Sequence, residues 1–136
     1  MRAFLDTNIL IYSVSRTLSE FPKRDRAREL IATGTCALSV QVLQEFYAQI
    51  TRPTRKTPLG SAEALDLIRT WRRFPVQETT LALLDSGFEI LARHRFSFWN
   101  SMIVAAAKAQ GCSVLWTEDM DDGRIIDGMR IANPFA

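Results

Sequence analysis

The chain opens on the stretch Phe4-Leu5-Asp6-Thr7-Asn8-Ile9-Leu10-Ile11, which sets one carboxylate inside an apolar run. An ionised aspartate is costly to bury unless a partner compensates its charge. One interpretation makes Asp6 the cap of a following helix, because aspartate favours that position. The other places Asp6 at the carboxyl end of a first strand, the edge where ligands bind in open α/β sheets. Later positions in the chain decide between the two.

The composition is typical of a globular protein in water, with 47% hydrophobic and 24% charged residues. We expect one domain over residues 1–136, large enough for a real core. No apolar run approaches the roughly 20 residues that cross a bilayer, and no signal peptide is visible. Cys36 and Cys112 are therefore expected to be buried thiols rather than a disulfide. These features predict a cytoplasmic protein with no membrane partner.

The basic residues are mostly arginine, 14 of 17, although the formal net charge is only +2. Arginine suits phosphate contact through its planar fork. The alternative, that the arginines lie on solvated helix faces and contact no phosphate, stays open. The candidates for nucleic-acid contact are Arg52, Arg55, Arg93 and Arg95.

Strand-like and helix-like segments alternate along the chain. Short apolar runs predict strands at 3–6, 36–38, 76–78 and 113–116, and an Asp127-Gly128 turn predicts a hairpin over 125–131. Periodicity, caps and stops predict helices over 7–15, 22–34, 39–52, 61–74, 79–95 and 97–110. Such alternation predicts an α/β fold whose parallel sheet is covered on both faces.

More acids fall at positions compatible with the sheet edge that Asp6 marks. Asp119 follows the strand 113–116, and Glu45 lies on the third helix in the polar stripe that it shares with residues 41 and 49. Taken alone, Glu45 would be read as part of a solvated face. Asp121 and Asp122 precede Gly123, so turn chemistry alone explains them.

Asn100 is the fourth position of interest. Ser97 is predicted to cap the sixth helix, which places Asn100 at its third position, beside the sheet edge. A carboxylate would be favoured there by the helix dipole. The alternative is an imperfect capping box, with asparagine where glutamate or glutamine is usual.

Together these segments resemble a PIN domain, and within that family the VapC toxins of bacterial toxin–antitoxin pairs. The matching segments are 4–10 (FLDTNIL), 44–46 (QEF), 97–107 (SFWNSMIVAAA), 115–120 (LWTEDM) and 126–135 (IDGMRIANPF). Each segment is weak by itself, but all of them occur in order over a chain of this length.

The resemblance implies a Rossmann-like α/β/α sandwich, PIN-like, with a short, mainly parallel sheet flanked by helices. It implies an Mg²⁺- or Mn²⁺-dependent endoribonuclease that acts on tRNA or other translation-related RNA. It also implies a homodimer bound by a cognate VapB-type antitoxin, with operator DNA contacted only through that antitoxin.

By motif, Asp6, Glu45 and Asp119 carry the acidic positions, whereas position 100, where the family has aspartate, holds asparagine. Clustered carboxylates with a single histidine in the chain and no His/Cys cluster at zinc spacing favour a hard cation. We expect the empty site to be strained, with raised carboxylate pKa values. The expected metal ligands are Asp6, Asn100 and Asp119; Glu45 holds water or acts as base; Asn8 orients Asp6; Thr117, Asp121 and Asp122 support the site.

Asn100 brings an oxygen but no charge, and losing even an indirect metal partner costs roughly 10–100-fold in metal affinity or activity. Two origins fit, an engineered inactivation and a natural change; the first is favoured because the other motifs are intact. The alternative function is a naturally degenerate module that binds RNA or an antitoxin without cleaving. A phosphoacceptor receiver domain fits poorly, since residues 6–8 offer one acid instead of a pair.

Overall fold

The computed structural model describes residues 2–136, which form an α/β fold. Its strands are β1 (Ala3–Leu5), β2 (Cys36–Ser39), β3 (Val76–Gln77), β4 (Val114–Trp116), β5 (Ile125–Ile126) and β6 (Met129–Ala132). Its helices are α1 (Thr7–Ser13), α2 (Phe21–Ala32), α3 (Val40–Ile50), α4 (Ser61–Trp71), α5 (Leu81–Arg93) and α6 (Phe98–Ala109). The predicted order of elements and the mainly parallel sheet are confirmed.

The six strands form one sheet in the order β3-β2-β1-β4-β6-β5. All neighbours are parallel except β5 and β6. The two central strands, β1 and β4, pair with Leu5 opposite Trp116, so the residues that follow each strand leave the sheet side by side. This register brings two distant parts of the sequence to one edge.

The core lies between the sheet and the helices. Phe4, Leu5, Leu38, Leu115 and Ile131 of the strands are all fully buried. Helix α6 contributes an unbroken buried run at 101–107, which agrees with its small and apolar sequence. This run fixes α6 against the sheet and so fixes the position of its N-terminus.

Close packing between α5 and α6 depends on a glycine. A Cβ atom at Gly87 would overlap the Met102 side chain, so a larger residue would require Met102 to move out of its place between the two helices. Because α6 carries Asn100 in its first turn, this contact also bears on the site.

The predicted Asp-Gly hairpin is confirmed. Asp127 and Gly128 have φ angles of 48° and 84° between β5 and β6. Two positive φ angles in a two-residue loop are typical of a type I′ turn, whose twist matches that of the strands.

The sequence prediction missed one element and lengthened others. A short 3₁₀ turn over Leu18–Glu20 was not predicted, and α1 ends at Ser13 rather than at residue 15. Helix α5 covers Leu81–Arg93, two residues shorter at each end than predicted, because Thr80 caps it and His94 is extended. Among the described residues, no helix is long and apolar enough to cross a membrane.

Candidate active site

Asp6 lies at the carboxyl edge of the sheet, immediately after β1. Its Oδ2 accepts a hydrogen bond of 2.8 Å from Thr117 Oγ1, the first residue after β4. Its Oδ1 accepts one of 2.7 Å from the backbone N–H of Thr7, at the start of α1. Asp6 therefore ends a strand and caps a helix at once, so both interpretations of the opening stretch hold.

The Asp6 carboxyl group is only 5% exposed. Its pKa is raised from 3.8 to about 6, chiefly by burial, against the lowering effect of the hydrogen bonds from Thr117 and Thr7. Repulsion from Glu45 and Asp119 makes a smaller contribution to this rise. The prediction of a raised carboxylate pKa holds for Asp6, although burial contributes more than the repulsion on which the prediction rested.

Glu45 reaches the Asp6 cluster through a residue that the sequence prediction passed over. Thr7 Oγ1 donates a hydrogen bond of 2.6 Å to Glu45 Oε1 across the contact between α1 and α3. Helix α3 begins directly after β2. Ser39, the last residue of β2, caps the helix by accepting a hydrogen bond from Val42 N. Glu45 is half-buried and thus not part of a fully solvated face.

Asp119 is held on the opposite side by Asn8. Asn8 Nδ2 donates to Asp119 Oδ2 at 3.0 Å, and Asn8 Oδ1 accepts from Glu118 N at 3.3 Å. Thr117 Oγ1 also accepts from Asp119 N at 3.1 Å. Asn8 thus bonds Asp119 directly. It reaches Asp6, which it was predicted to orient, only through Thr117, whose Oγ1 accepts from Asn8 Nδ2 at 3.5 Å.

Asn100 occupies the first turn of α6, as predicted. Ser97 caps the helix by accepting from Asn100 N at 3.1 Å. The carbonyl of the preceding residue, Trp99, accepts from Gln41 Nε2 at 3.2 Å, one turn before Glu45 on α3. The N-terminus of α6 therefore lies against the helix that carries Glu45. Within residues 2–136 the half-buried Asn100 amide has no hydrogen-bond partner of its own.

The other predicted residues lie in different surroundings. Asp121 pairs with Arg124 at 3.6 Å, and Asp122 accepts from the backbone N–H of Asn133 at 2.9 Å. These contacts explain both acids as loop residues, and their support of the site stays a prediction.

The arginines predicted for RNA contact lie in two groups. Arg52 and Arg55 follow α3, the helix of Glu45, whereas Arg93 and Arg95 lie at the end of α5 and just after it. Arg93 is paired with Asp127 at 3.6 Å.

A family model described as the PIN domain matches residues 3–125. The chain belongs to the PIN-domain family. PIN domains are usually nucleases, and PIN nucleases generally use divalent metal ions. The match ends at residue 125, before β6. Because β6 lies between β4 and β5 in the sheet, it is nevertheless part of the same domain.

Several solved structures share the fold. The sarcin–ricin loop-cleaving toxin VapC20 of Mycobacterium tuberculosis is 22% identical, with a TM-score of 0.67 over 88% of this chain and 91% of that one. A toxin–antitoxin complex of Klebsiella pneumoniae is 17% identical, with a TM-score of 0.69 over 97% of both chains. DNA-bound VapBC of Salmonella typhimurium is 20% identical, with a TM-score of 0.68 over 98% of both. No curated protein matches this PIN domain in sequence.

The candidate ligands have the right chemistry for a divalent cation. Every candidate ligand offers oxygen, as hard cations require, and the buried Asp6 has a raised pKa among other acids. Across residues 2–136, however, no three His, Cys, Asp or Glu side chains are close enough to hold one ion. Asn100 offers an oxygen but no charge, and its place among the metal ligands stays a prediction.

Proposed function

We propose that this PIN domain is a metal-dependent endoribonuclease toxin of a toxin–antitoxin pair whose activity is weakened by Asn100. The main support is the buried carboxyl of Asp6, which has two acids near it and a pKa raised to about 6. A carboxyl group kept in such surroundings costs stability, and a bound cation would offset that cost. We take the whole chain, 1–136, as this one PIN domain.

We assign the metal to Asp6, Asp119 and Asn100. Bound there, Mg²⁺ or Mn²⁺ supplies an activated water and neutralises charge on the phosphate. Asp6 stays fixed because Thr7 N and Thr117 Oγ1 both bond its carboxylate. Asn8 keeps Asp119 facing the same space through its 3.0 Å hydrogen bond.

Glu45 is assigned the proton-handling role. Its Oε1 already accepts from Thr7 Oγ1 at 2.6 Å, which holds the side chain without neutralising its charge. The other carboxylate oxygen is then free to orient the attacking water and take its proton. Asp121 and Asp122 are at most auxiliary, given their contacts with Arg124 and the Asn133 backbone.

The partners follow from the same proposal. The similar structures include VapBC and FitAB complexes bound to DNA, so we propose a cognate antitoxin, with operator DNA bound through it. We also propose a homodimer in the cytoplasm. The substrate is RNA of the translation machinery, such as tRNA, with Arg52, Arg55, Arg93 and Arg95 as candidate backbone contacts.

The test is to restore the acid at position 100. The Asn100→Asp protein should cleave RNA at least 10-fold faster than the parent chain, because the metal gains a charged ligand. EDTA should abolish this cleavage, and adding Asp6→Ala to the same protein should remove it. Sequencing the cleaved ends from total RNA would identify the substrate.

A reverted protein that folds and binds Mg²⁺ but cleaves no RNA would contradict the proposal. If it still bound RNA with an affinity that falls steeply with salt, as phosphate contacts require, the degenerate binding module would replace the nuclease.

A further inference from the structure

A groove runs beside Glu45, between α3 and the N-terminus of α6. It is an open depression of about 310 Å³, lined by Gln41, Gln44, Glu45, Ala48 and Trp99. That volume is at the lower end of the range for small-ligand sites, roughly 300–1,000 Å³. The groove adjoins the proposed active site through Glu45, which belongs to both.

Trp99 is the unusual member of this groove. Three other large aromatic residues are less exposed, since Trp71 and Phe74 are buried and Trp116 is half-buried. Trp99 instead exposes 63% of its surface. An exposed indole beside an acidic site adds nothing to the core, so a ligand is the natural reason for its position.

The indole packs against a second aromatic ring. Phe98 packs against Trp99 edge to face, with ring centroids 4.9 Å apart and ring planes at 74°. Phe98 is itself supported by Phe88, at 5.5 Å. Gln41 Nε2 donates to the backbone carbonyl of Trp99 at 3.2 Å, which holds the main chain at this position. A ring that already packs on a neighbouring ring loses less freedom when a flat ligand stacks on it.

The remaining lining suits the edge of a base. Gln44 is exposed and Gln41 is half-buried, and an amide side chain carries both a donor and an acceptor. Aromatic stacking combined with hydrogen bonds to base edges is how proteins bind unpaired RNA bases. In a duplex each base is already stacked between its neighbours, so an indole cannot reach its face.

We infer that this groove binds one unpaired base of the substrate RNA, stacked on Trp99 and contacted by Gln41 and Gln44, next to the bond that is cut. The inference rests on the proposed nuclease function and narrows its substrate to single-stranded or looped RNA. Trp99 would be a substrate-binding residue, without a part in proton transfer or metal binding.

The test is RNA binding by the chain with Asn100 in place, in the presence of Mg²⁺. A labelled single-stranded oligoribonucleotide should bind more tightly than the same strand annealed to its complement. Trp99→Ala should weaken binding to the single strand about tenfold, the typical effect of removing one stacking partner, whereas Trp99→Phe should keep most of it. Binding should also quench tryptophan fluorescence in the parent chain but not in Trp99→Ala.

Leu81→Ala is the matched control. It removes another apolar side chain, 81% exposed, at the start of α5 and outside the groove lining. RNA affinity should be unchanged in this variant. Equal affinity of Trp99→Ala and the parent chain would overturn the inference. So would a change in oligomeric state of Trp99→Ala on size exclusion with RNA affinity unchanged, since Trp99 would then lie in a protein interface.

Cleavage by the Asn100→Asp protein separates this inference from the proposed function. If that protein cleaves RNA and Trp99→Ala alters neither its RNA affinity nor its KM, the groove assignment fails and the nuclease stands. If that protein does not cleave while Trp99→Ala still weakens RNA binding, the groove assignment stands and the nuclease fails.

Discussion

Glu118 and Asp119 are neighbours in the chain, yet they lie in opposite electrostatic surroundings. Asp119 turns toward Asp6 and Asn8, whereas Glu118 turns toward Lys23 and Tyr12. Lys23 Nζ lies 2.6 Å from one Glu118 oxygen, and the Tyr12 hydroxyl donates to the other at 2.6 Å. One acid joins a group of acids, and the other has a cation of its own.

The pKa values record the difference. Burial raises the pKa of Glu118, but the bonds from Lys23 and Tyr12 outweigh burial and hold it below its usual 4.5. Burial also raises the pKa of Asp6, and there the pKa ends at about 6. Among residues 2–136, the groups that shift the pKa of Asp6 include two further acids and no cation.

This contrast separates a structural acid, Glu118, from the acids for which we propose a functional role. The Glu118 cluster is complete as it stands, and it ties the loop after β4 to α1 and α2. Tyr12 also packs on Phe135, at 5.1 Å, which holds the C-terminal segment on the same cluster. The Asp6 cluster lacks the charge that would complete it, which is the reason for proposing a metal there.

Replacing Asp6 should give the largest change in stability. Its pKa is raised on folding, so its stabilising contribution is full below 3.8 and is lost as pH rises through about 6. In metal-free buffer at neutral pH, Asp6→Asn should therefore raise the free energy of unfolding by at most about 3 kcal/mol. The gain is reduced because the Asn amide nitrogen cannot accept one of the two hydrogen bonds, from Thr7 N and Thr117 Oγ1, that the carboxylate accepts. Urea unfolding in EDTA should show the gain shrinking as pH falls toward 4.

Mg²⁺ should reverse this gain. The parent chain should be stabilised by the metal, whereas Asp6→Asn should respond much less, because a cation binds the carboxylate and not the amide. A loss of stability in Asp6→Asn at neutral pH without metal would mean that the charged carboxylate is satisfied by the protein alone.

Asn100→Asp should strengthen metal binding by roughly 10–100-fold, because it adds the charge that the cluster lacks. Titration calorimetry with Mg²⁺ measures the affinity without depending on cleavage. Asn100→Gln keeps a neutral amide and is the matched control, with no gain expected. Equal affinities of the aspartate and glutamine variants would show that position 100 lies outside the metal site.

Glu118→Gln should give the smallest effect. Gln can still accept from Tyr12 but loses the charge that faces Lys23, whose side chain is 41% exposed. Solvent screening limits the cost to about 1 kcal/mol or less. Because the pKa of Glu118 is lowered on folding, the cost should be present above 4.5 and vanish as pH falls through the folded value.

The two carboxylates should thus give opposite slopes of stability against pH, and high salt should reduce only the effect of Glu118→Gln. Parallel slopes in urea unfolding would remove the distinction between the structural and the functional acid.

Much of the fold was predictable because its signals are local. The Ser97 cap, the Asp127-Gly128 turn and the buried helix at 101–107 each depend on residues within a few positions of one another. The boundaries of α1 and α5 were less accurate, since helix ends respond to caps and to tertiary contacts.

The site was predictable in its acids but not in their connections. Position and motif select Asp6, Glu45 and Asp119 as candidate acids. Neither indicates that Thr7 bonds one of them. Its bond to Glu45 joins residues 38 positions apart and exists only because α1 packs on α3. The 63% exposure of Trp99 is likewise a property of the tertiary structure.

The sequence by itself determined the order of strands and helices, the polar residues that end β1 and β4, and the neutral amide at position 100. Those features depend on short-range propensity and residue identity. Only the tertiary structure decided which acid has a cation, because the Lys23–Glu118 pair spans 95 positions. Only the tertiary structure buried Asp6, and its raised pKa is a consequence of that burial. Desolvation and long-range charge contacts arise from packing, so no local pattern contains them.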